Sequence, residues 1–194
     1  ILVDADIEHG LHQRFQEGTE VQPFMAIAAS GKPENAYKVG KIVAKESRAV
    51  GIHWNFSPVV DVNNNPNNPI INVRSFSEDP SVVSSYATQY ILGLQDNGLL
   101  ATAKHFPGHG DTETDSHSSL AMIPSDSSRL WEIEIPPFVD MIEQGIDAIM
   151  VAHVHSPDYQ PDSYTPASMS KFWVNHILKE KLKFRGAIVT DGMG

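Results

Sequence analysis

Five short, continuous apolar runs, each separated from the next by a segment with helical character, limit this chain to few folds. The runs are Ile1–Val3, Ile52–Val60, Leu99–Ala103, Ala148–Val151 and Ala187–Thr190. Glu34 to Val50 places Val39, Ile42, Val43 and Ala49 at helical spacing and closes at Gly51. Asp79 followed by Pro80 reads as an N-cap with proline at the first helical position, leading Val82 to Leu94. Ser127 to Gly145 is helical with a break and restart at Pro136-Pro137, and Ser170 caps a helix running to about Leu182. Strand and helix in strict alternation, with strands that read as unbroken apolar runs, predict an α/β fold: a parallel sheet covered by helices through right-handed crossovers.

Two parallel architectures satisfy that pattern, the open doubly wound sheet and the closed (β/α)8 TIM-type barrel. The open sheet advertises a glycine-rich first turn, and Gly108-His109-Gly110 lacks both the third glycine and the following helix. The barrel puts its chemistry at the C-terminal ends of several different strands. Here the strand ends carry Asp4 and Asp6, then Asp61, then Lys104-His105, then His153 and His155, then Asp191. The barrel is the expected fold. Five strands in an architecture of eight, an opening Ile1-Leu2-Val3 without Met and a close at Asp191-Gly192-Met193-Gly194 predict an incomplete fragment: residues 1–194 as part of one barrel domain, truncated at both ends, with further segments or a further domain beyond them.

The richest stretch is Lys104 to His117, KHFPGHGDTETDSH, which hangs from the run Leu99–Ala103. It crowds His105, His109 and His117 together with Asp111, Glu113 and Asp115, and Gly108 and Gly110 read as flexible joints. The other long irregular stretch, Asp61 to Glu78, is rich in Asn and Pro. The net charge of −10 argues against a nucleic-acid partner, whose phosphates call for clustered Lys and Arg. Without cysteine there is no thiol catalysis, disulfide or zinc-thiolate site. No apolar run approaches the roughly 20 residues of a membrane-spanning helix. The compartment stays open.

Asp6–Phe15 (DIEHGLHQRF), Phe56–Pro66 (FSPVVDVNNNP), Asn72–Phe76 (NVRSF), KHFPGHGDTETDSH, Ala148–Val154 (AIMVAHV), Pro166–Ser170 (PASMS) and Ile188–Gly194 (IVTDGMG) together resemble glycoside hydrolase family 3, in collinear order over the whole chain. The likeness is closest to its β-N-acetylglucosaminidase (β-N-acetylhexosaminidase) branch, typified by bacterial peptidoglycan-recycling enzymes. The resemblance implies a barrel and a retaining, exo-acting hydrolase that removes terminal β-linked N-acetylglucosamine by double displacement. It implies Asp191 as nucleophile, His117 as general acid/base and Asp115 as its partner in an Asp–His dyad. It implies Asp6, Arg14, Arg74, Lys104 and His105 as residues that hold the sugar's hydroxyls. No cofactor or metal is implied, and the implied partner is a carbohydrate such as a peptidoglycan fragment or a chitooligosaccharide.

The chemistry suits those roles. A glycosidase needs an anion at the oxocarbenium-like centre and a proton donor for the leaving oxygen. An imidazole titrates near ~6.5, so it can give and then take a proton near neutrality, and a neighbouring carboxylate can fix its tautomer. Two departures stand out: Glu8-His9-Gly10 where the family carries EGG, and Gly192 after the nucleophile where many members carry an acid. Both bear on the subsites, and family 3 β-glucosidase-like specificity is one alternative. The other is a metal-dependent amidohydrolase-type barrel, because His153-Val154-His155 is an HxH pair at a strand end; its place after the fourth run rather than the first speaks against it. A sugar-binding domain without activity finds no support in the sequence, since the nucleophile and dyad positions are all filled. Trp54, Trp131 and Trp173 are expected as core or pocket-wall residues, and Asp61 as either a substrate contact or a structural carboxylate.

Overall fold

The computed structural model describes residues 1–113, 120–123, 127–160 and 164–193. Its strands are β1 Asp4–Ala5, β2 Trp54–Asn55, β3 Thr102–Phe106, β4 Ala121–Met122, β5 Ala148–Val151, β6 Val154–His155 and β7 Ala187–Thr190. Every strand pair among them is parallel: β1 with β2, β3 with β5, β5 with β7, and β4 with β6. Bridges from Trp54 to Leu100 and from Val59 to Lys104 carry the β2 segment onto the β3 segment. The wall therefore runs β1-β2-β3-β5-β7 in chain order, with the two-residue strands β4 and β6 paired to each other apart from it. A doubly wound sheet reverses direction at a switch point. This one never does, and a wall that only advances is the barrel arrangement expected from the strand ends.

The strand boundaries differ from the apolar runs in three places, one of them β3, which spans Thr102–Phe106 where the apolar run is Leu99–Ala103. Ile1 and Leu2 are exposed, and pairing begins only at Val3, whose carbonyl accepts from the His53 and Trp54 amides at 2.8 and 3.2 Å. Ile52–Val60 is not one strand. Pro58 has no N–H to give to a ladder, so regular pairing stops at Asn55 and returns as a bridge at Val59, while Phe56 still donates to the Ala5 carbonyl at 3.0 Å and Val60 to that of Lys104 at 2.8 Å.

The helices that cover the wall are α1 Phe24–Ala28, α2 Glu34–Ala49, α3 Pro80–Gln95 and α5 Pro136–Glu143, with a short α4 at Ser127–Arg129 and a last helical segment, Phe172–Lys181. Asp79 caps α3 as its sequence predicts, with Oδ1 accepting from the Ser81 amide at 2.8 Å. The expected break before Pro136-Pro137 takes a specific form. Neither proline donates a backbone bond, and the preceding Leu130–Glu134 turn widens until the Ile135 amide reaches back five residues to the Leu130 carbonyl at 2.9 Å. The segment after Ser170 is wide-turned as well, closing with Leu182 N–H to Ile177 C=O at 2.9 Å.

Two aromatic groups fill the space between wall and helices. Phe24 stacks on Phe76 and meets Tyr90 edge-on, with ring centres 4.7 and 5.1 Å apart. On the other side Phe106 meets Phe138 and the fully buried Trp173. Trp54 donates to Thr102 Oγ1 at 2.7 Å, and Trp131 donates to the Tyr159 hydroxyl at 2.6 Å.

Helices α2 and α3 cross where Gly40 faces Gly93. A Cβ on Gly93 would lie 2.3 Å from the Tyr37 carbonyl oxygen, and one on Gly40 would lie 2.4 Å from that of Tyr90. Replacing Gly93 by alanine adds roughly 1 kcal/mol of helix propensity. It also drives a methyl into backbone, an overpacking cost of about 1–3 kcal/mol with no rotamer to relieve it. The clash is expected to win, so Gly93→Ala should lower stability by about 1–2 kcal/mol in urea unfolding; an unchanged or raised midpoint would show that the helices separate freely.

Candidate active site

The C-terminal ends of β1, β3 and β7 open on one cleft of about 330 Å³. Asp6, Arg14, Arg74, Lys104, His105 and Asp191, six positions singled out in the sequence, all line it, and so do Glu8, His9 and Gln13. Lys104 and His105 are consecutive, and in a regular strand they would point to opposite faces. The β3–β5 register shifts between Lys104 and Phe106, and this irregularity lets both side chains meet the cleft.

Glu8 is the residue that sequence reasoning missed. It is 5% exposed, and its Oε1 lies 2.6 Å from Lys104 Nζ and 2.8 Å from Arg74 Nη2, while Arg74 Nε donates to Oε2 at 2.9 Å. Burial alone would raise this carboxyl's pKa, but Lys104 and Arg74 outweigh burial and hold it well below the usual carboxylate range. Lys104 Nζ also reaches Asp6 Oδ1 at 2.6 Å, and Arg14 Nε donates to the Asp6 carbonyl at 3.0 Å. The Gln13 side-chain oxygen accepts from the Glu8 and His9 amides at 2.8 and 3.2 Å and fixes the turn on which Glu8 sits. A signal existed: an acid directly after the first strand, in a chain that sends Arg74 and Lys104 to the same rim, needs a cation partner if buried.

Asp61 proves to be a support for the cleft and not part of its lining. Fully buried, it accepts from the His105 amide at 3.1 Å, from His105 Nδ1 at 2.7 Å and from the His109 amide at 2.7 Å. Burial would raise its pKa, yet His105 first and His109 second bring it below its ordinary value. An ionised carboxylate only accepts, so Nδ1 of His105 carries a proton, and Nε2 is turned toward Arg74 Nη2, 3.5 Å away.

The Asn-rich stretch holds the next turn of chain. Asn68 Nδ2 donates to the His109 and Gly110 carbonyls at 2.7 and 3.1 Å, while its oxygen accepts from the Ile70 and Ile71 amides at 2.8 Å each. Asn65 Nδ2 donates to the Asp111 carbonyl at 3.3 Å, and Arg129 pairs with the Asp111 carboxylate. His109 is 1% exposed, and burial, then the charge of His105, lowers its pKa. The two glycines expected as flexible joints are instead close-packing positions. Gly108 takes φ +134°, and a Cβ on Gly110 would lie 1.8 Å from the Val62 carbonyl oxygen. Asp115 and His117, the proposed dyad, lie outside the described residues.

Asp191 ends β7. Its amide donates to the Val151 carbonyl at 3.0 Å, and its Oδ1 accepts from the Gly192 amide at 2.8 Å. His153 supports it from the neighbouring strand end, with Nε2 3.2 Å from both the Asp191 and Gly192 carbonyl oxygens and Nδ1 2.6 Å from Ser168 Oγ. Carbonyls only accept, so Nε2 donates and Nδ1 accepts the Ser168 hydroxyl proton. His155, two residues on, is buried with its ring beside Tyr164. The HxH pair is therefore used in two different ways. Among the described residues no three His, Asp or Glu side chains are grouped as a metal would need.

A family model, the glycosyl hydrolase family 3 N terminal domain, matches residues 1–194. The chain belongs to glycosyl hydrolase family 3. A β-hexosaminidase of Hydrogenovibrio crunogenus is 36% identical over 200 residues, covering 100% of this chain and 55% of that protein. A family 3 β-N-acetylglucosaminidase structure from Paenibacillus sp. superposes with a TM-score of 0.93 at 42% identity, covering 98% of this chain and 36% of that one. Native NagZ from Neisseria gonorrhoeae superposes at 0.88 with 33% identity, covering 98% of this chain and 57% of that one. The chain thus spans about half, or less, of the length of these relatives. The parallel barrel-type wall is the fold shared with these family 3 structures.

The ion cluster makes an acid-sensitivity prediction. Because the Glu8 carboxyl titrates lower in the folded protein than unfolded, its contribution is present above its ordinary pKa and is lost as pH falls through the folded one. Glu8→Gln should lower stability by roughly 3 kcal/mol at neutral pH, by leaving buried cations under-neutralised. It should also flatten the loss of stability that wild type shows below about pH 4. Parallel acid-unfolding curves for the two proteins would contradict this.

Proposed function

We propose that this chain is part of one barrel domain of a retaining, exo-acting hydrolase that releases terminal β-linked N-acetylglucosamine or a related N-acetylhexosamine. The observation that carries the reading is the single cleft, about 330 Å³, where Asp6, Arg14, Arg74, Lys104 and His105 meet beside Asp191. A cavity that small and that polar suits one sugar unit, and it surrounds the ring with donors and acceptors while Asp191 stands on its wall.

In this reading Lys104, Arg74 and Arg14 donate to hydroxyl oxygens and Asp6 accepts from hydroxyl protons. Glu8 pairs with both Lys104 and Arg74 and holds them in place. Asp61 fixes the His105 ring through Nδ1 and leaves Nε2 facing the cleft beside Arg74. The Asp191 carboxylate bonds to the anomeric carbon as the glycosidic C–O bond breaks. His117, oriented by Asp115, gives its proton to the leaving oxygen. Then His117 takes a proton from water, the water oxygen bonds to the anomeric carbon, and the ester to Asp191 breaks. Two inversions leave the β configuration in place. Side chains fill every role, so no cofactor or metal takes part. The relatives named β-hexosaminidase and β-N-acetylglucosaminidase support the N-acetyl specificity, and the family resemblance implies a peptidoglycan fragment or a chitooligosaccharide as the natural substrate.

The full-length protein should turn over nitrophenyl β-N-acetylglucosaminide well ahead of the plain β-glucoside, with activity that survives EDTA. Preference for the glucoside would move the reading to a β-glucosidase, and restoration by zinc after EDTA inactivation would revive the amidohydrolase. Asp191→Asn should remove turnover on the order of 10⁴-fold or more. The first-formed product of wild type should be the β anomer by NMR, and an α anomer would rule out double displacement. His117→Ala should slow the first step for poor leaving groups far more than for nitrophenyl glycosides, because an activated phenol needs little protonation. Equal slowing would assign the acid role to another group.

A further inference from the structure

Beneath the root of the loop after β3 lies a buried carboxyl that the proposed reaction does not use. Glu134 closes the wide turn Leu130–Glu134 and is 1% exposed. Its Oε1 accepts from Asn64 Nδ2 at 2.9 Å, whereas Oε2 is buried without a hydrogen-bond partner among the described residues. The side chain lies directly against Gly108, where a Cβ would come within 2.7 Å of Glu134 Cβ and 3.0 Å of Oε2. Among the described residues three charged groups act on it: Asp61 from the segment after β2, Asp111 from the loop after β3, and Arg129 from its own segment. Two of the three are anions, and Arg129 is paired with Asp111. Burial pushes the Glu134 pKa up to about 7, opposed by the Asn64 bond, assisted by Asp61, and with Arg129 and Asp111 acting in opposite senses. A wide turn inserted in a helix, ending on a buried carboxyl, is a feature that accompanies functional sites.

We propose that Glu134 in its neutral form is a positioning residue for the loop that leads to Asp115 and His117. As a carboxylic acid it fills the space under Gly108 and joins that loop to the Asn-rich stretch through Asn64. On ionisation it becomes a further buried anion beside Asp61 and Asp111, and the loop root is pushed from its seat. The catalytic consequence rests on the reading of Asp115 and His117 as the acid/base pair.

Glu134→Gln keeps the shape and the oxygen that Asn64 meets, and cannot ionise. Because the folded protein holds this proton more tightly than the unfolded chain, wild type loses stability as pH rises from the ordinary glutamate range through about 7. In the full-length protein the variant and wild type should melt together near about pH 5, and the variant should melt higher near about pH 8, by roughly 4 °C or more. The ratio of kcat/KM on nitrophenyl β-N-acetylglucosaminide, variant over wild type, cancels any titration the two share, that of His117 included. It should be near one at the acid end and rise about tenfold by about pH 8, where a group titrating near 7 is mostly ionised. A variant destabilised equally at both pH values, or a flat ratio, would overturn the proposal. If the variant fails to fold, the wild type's infrared carboxylic-acid band decides: it should vanish with a midpoint near 7, and a band absent at the acid end would be fatal. If the full-length protein has no glycosidase activity, the hydrolase reading fails and the melting comparison alone decides for or against Glu134.

Discussion

Lys104 is almost fully buried beside Glu8, and the cleft depends on that contact. An ammonium taken out of water costs several kcal/mol unless a counter-charge meets it at short range. Glu8 meets both Lys104 and Arg74 with the same carboxylate, and Asp6 takes a second side of Lys104. The three groups come from chain segments far apart in sequence: the turn after β1, the stretch after β2 and the end of β3. The ion cluster therefore brings three loops to the same rim while preparing donors for a ligand. A neutral cluster of similar shape would join the loops equally well, but it would not keep charged donors dry and directed at one point.

Asp61 does the corresponding work one layer below. It fixes the His105 ring and the His109 amide from a fully buried position, and Asn68 continues the same wall by holding the His109 and Gly110 carbonyls. The Asn-rich stretch thus has a physical reason for its composition. An asparagine side chain offers a donor and an acceptor together, so Asn68 can close on its own backbone and brace a second loop without adding charge. A rigid platform under the loop root gives whatever lies further along it, Asp115 and His117 included, a fixed point of departure.

Much of this was legible in the sequence because the periodic signals were strong. Continuous apolar runs between helical segments gave parallel pairing, and polar residues at each strand end separated a barrel wall from a doubly wound sheet. Of the positions carried over from the family resemblance, Asp6, Arg14, Arg74, Lys104, His105 and Asp191 lie around one cleft, and Asp115 and His117 lie outside the described residues. What the sequence concealed depended on contacts across long separations. Glu8 drew no notice beside the departure at His9, because nothing local says that Arg74 and Lys104 meet it. Gly108 and Gly110 read as flexible because a glycine's freedom is visible in sequence, whereas the carbonyl of Val62 and the side chain of Glu134 packed against them are not. The Ile52–Val60 run was overextended since its hydrophobicity says nothing of the N–H that Pro58 lacks.

Three carboxylates at this rim show how one residue type is made to do different things. Glu8 is buried with two cations and stays ionised, and Asp61 is buried with donors and stays ionised. Glu134 is buried with one amide and two neighbouring acids, and its proton is retained far above the usual range. Burial is common to all three, so burial does not set the charge state; the partners do. The distribution also has a spatial order. The ionised Glu8 faces the cations that line the cleft, the ionised Asp61 orients a histidine behind them, and Glu134 lies under Gly108, a glycine with no room for a side chain. Another anion at that place would act on Asp61 and Asp111 across a water-poor gap, where like charges repel far more strongly than in water. Neutrality at Glu134 thus spares Asp61 and Asp111 a further anion across that gap.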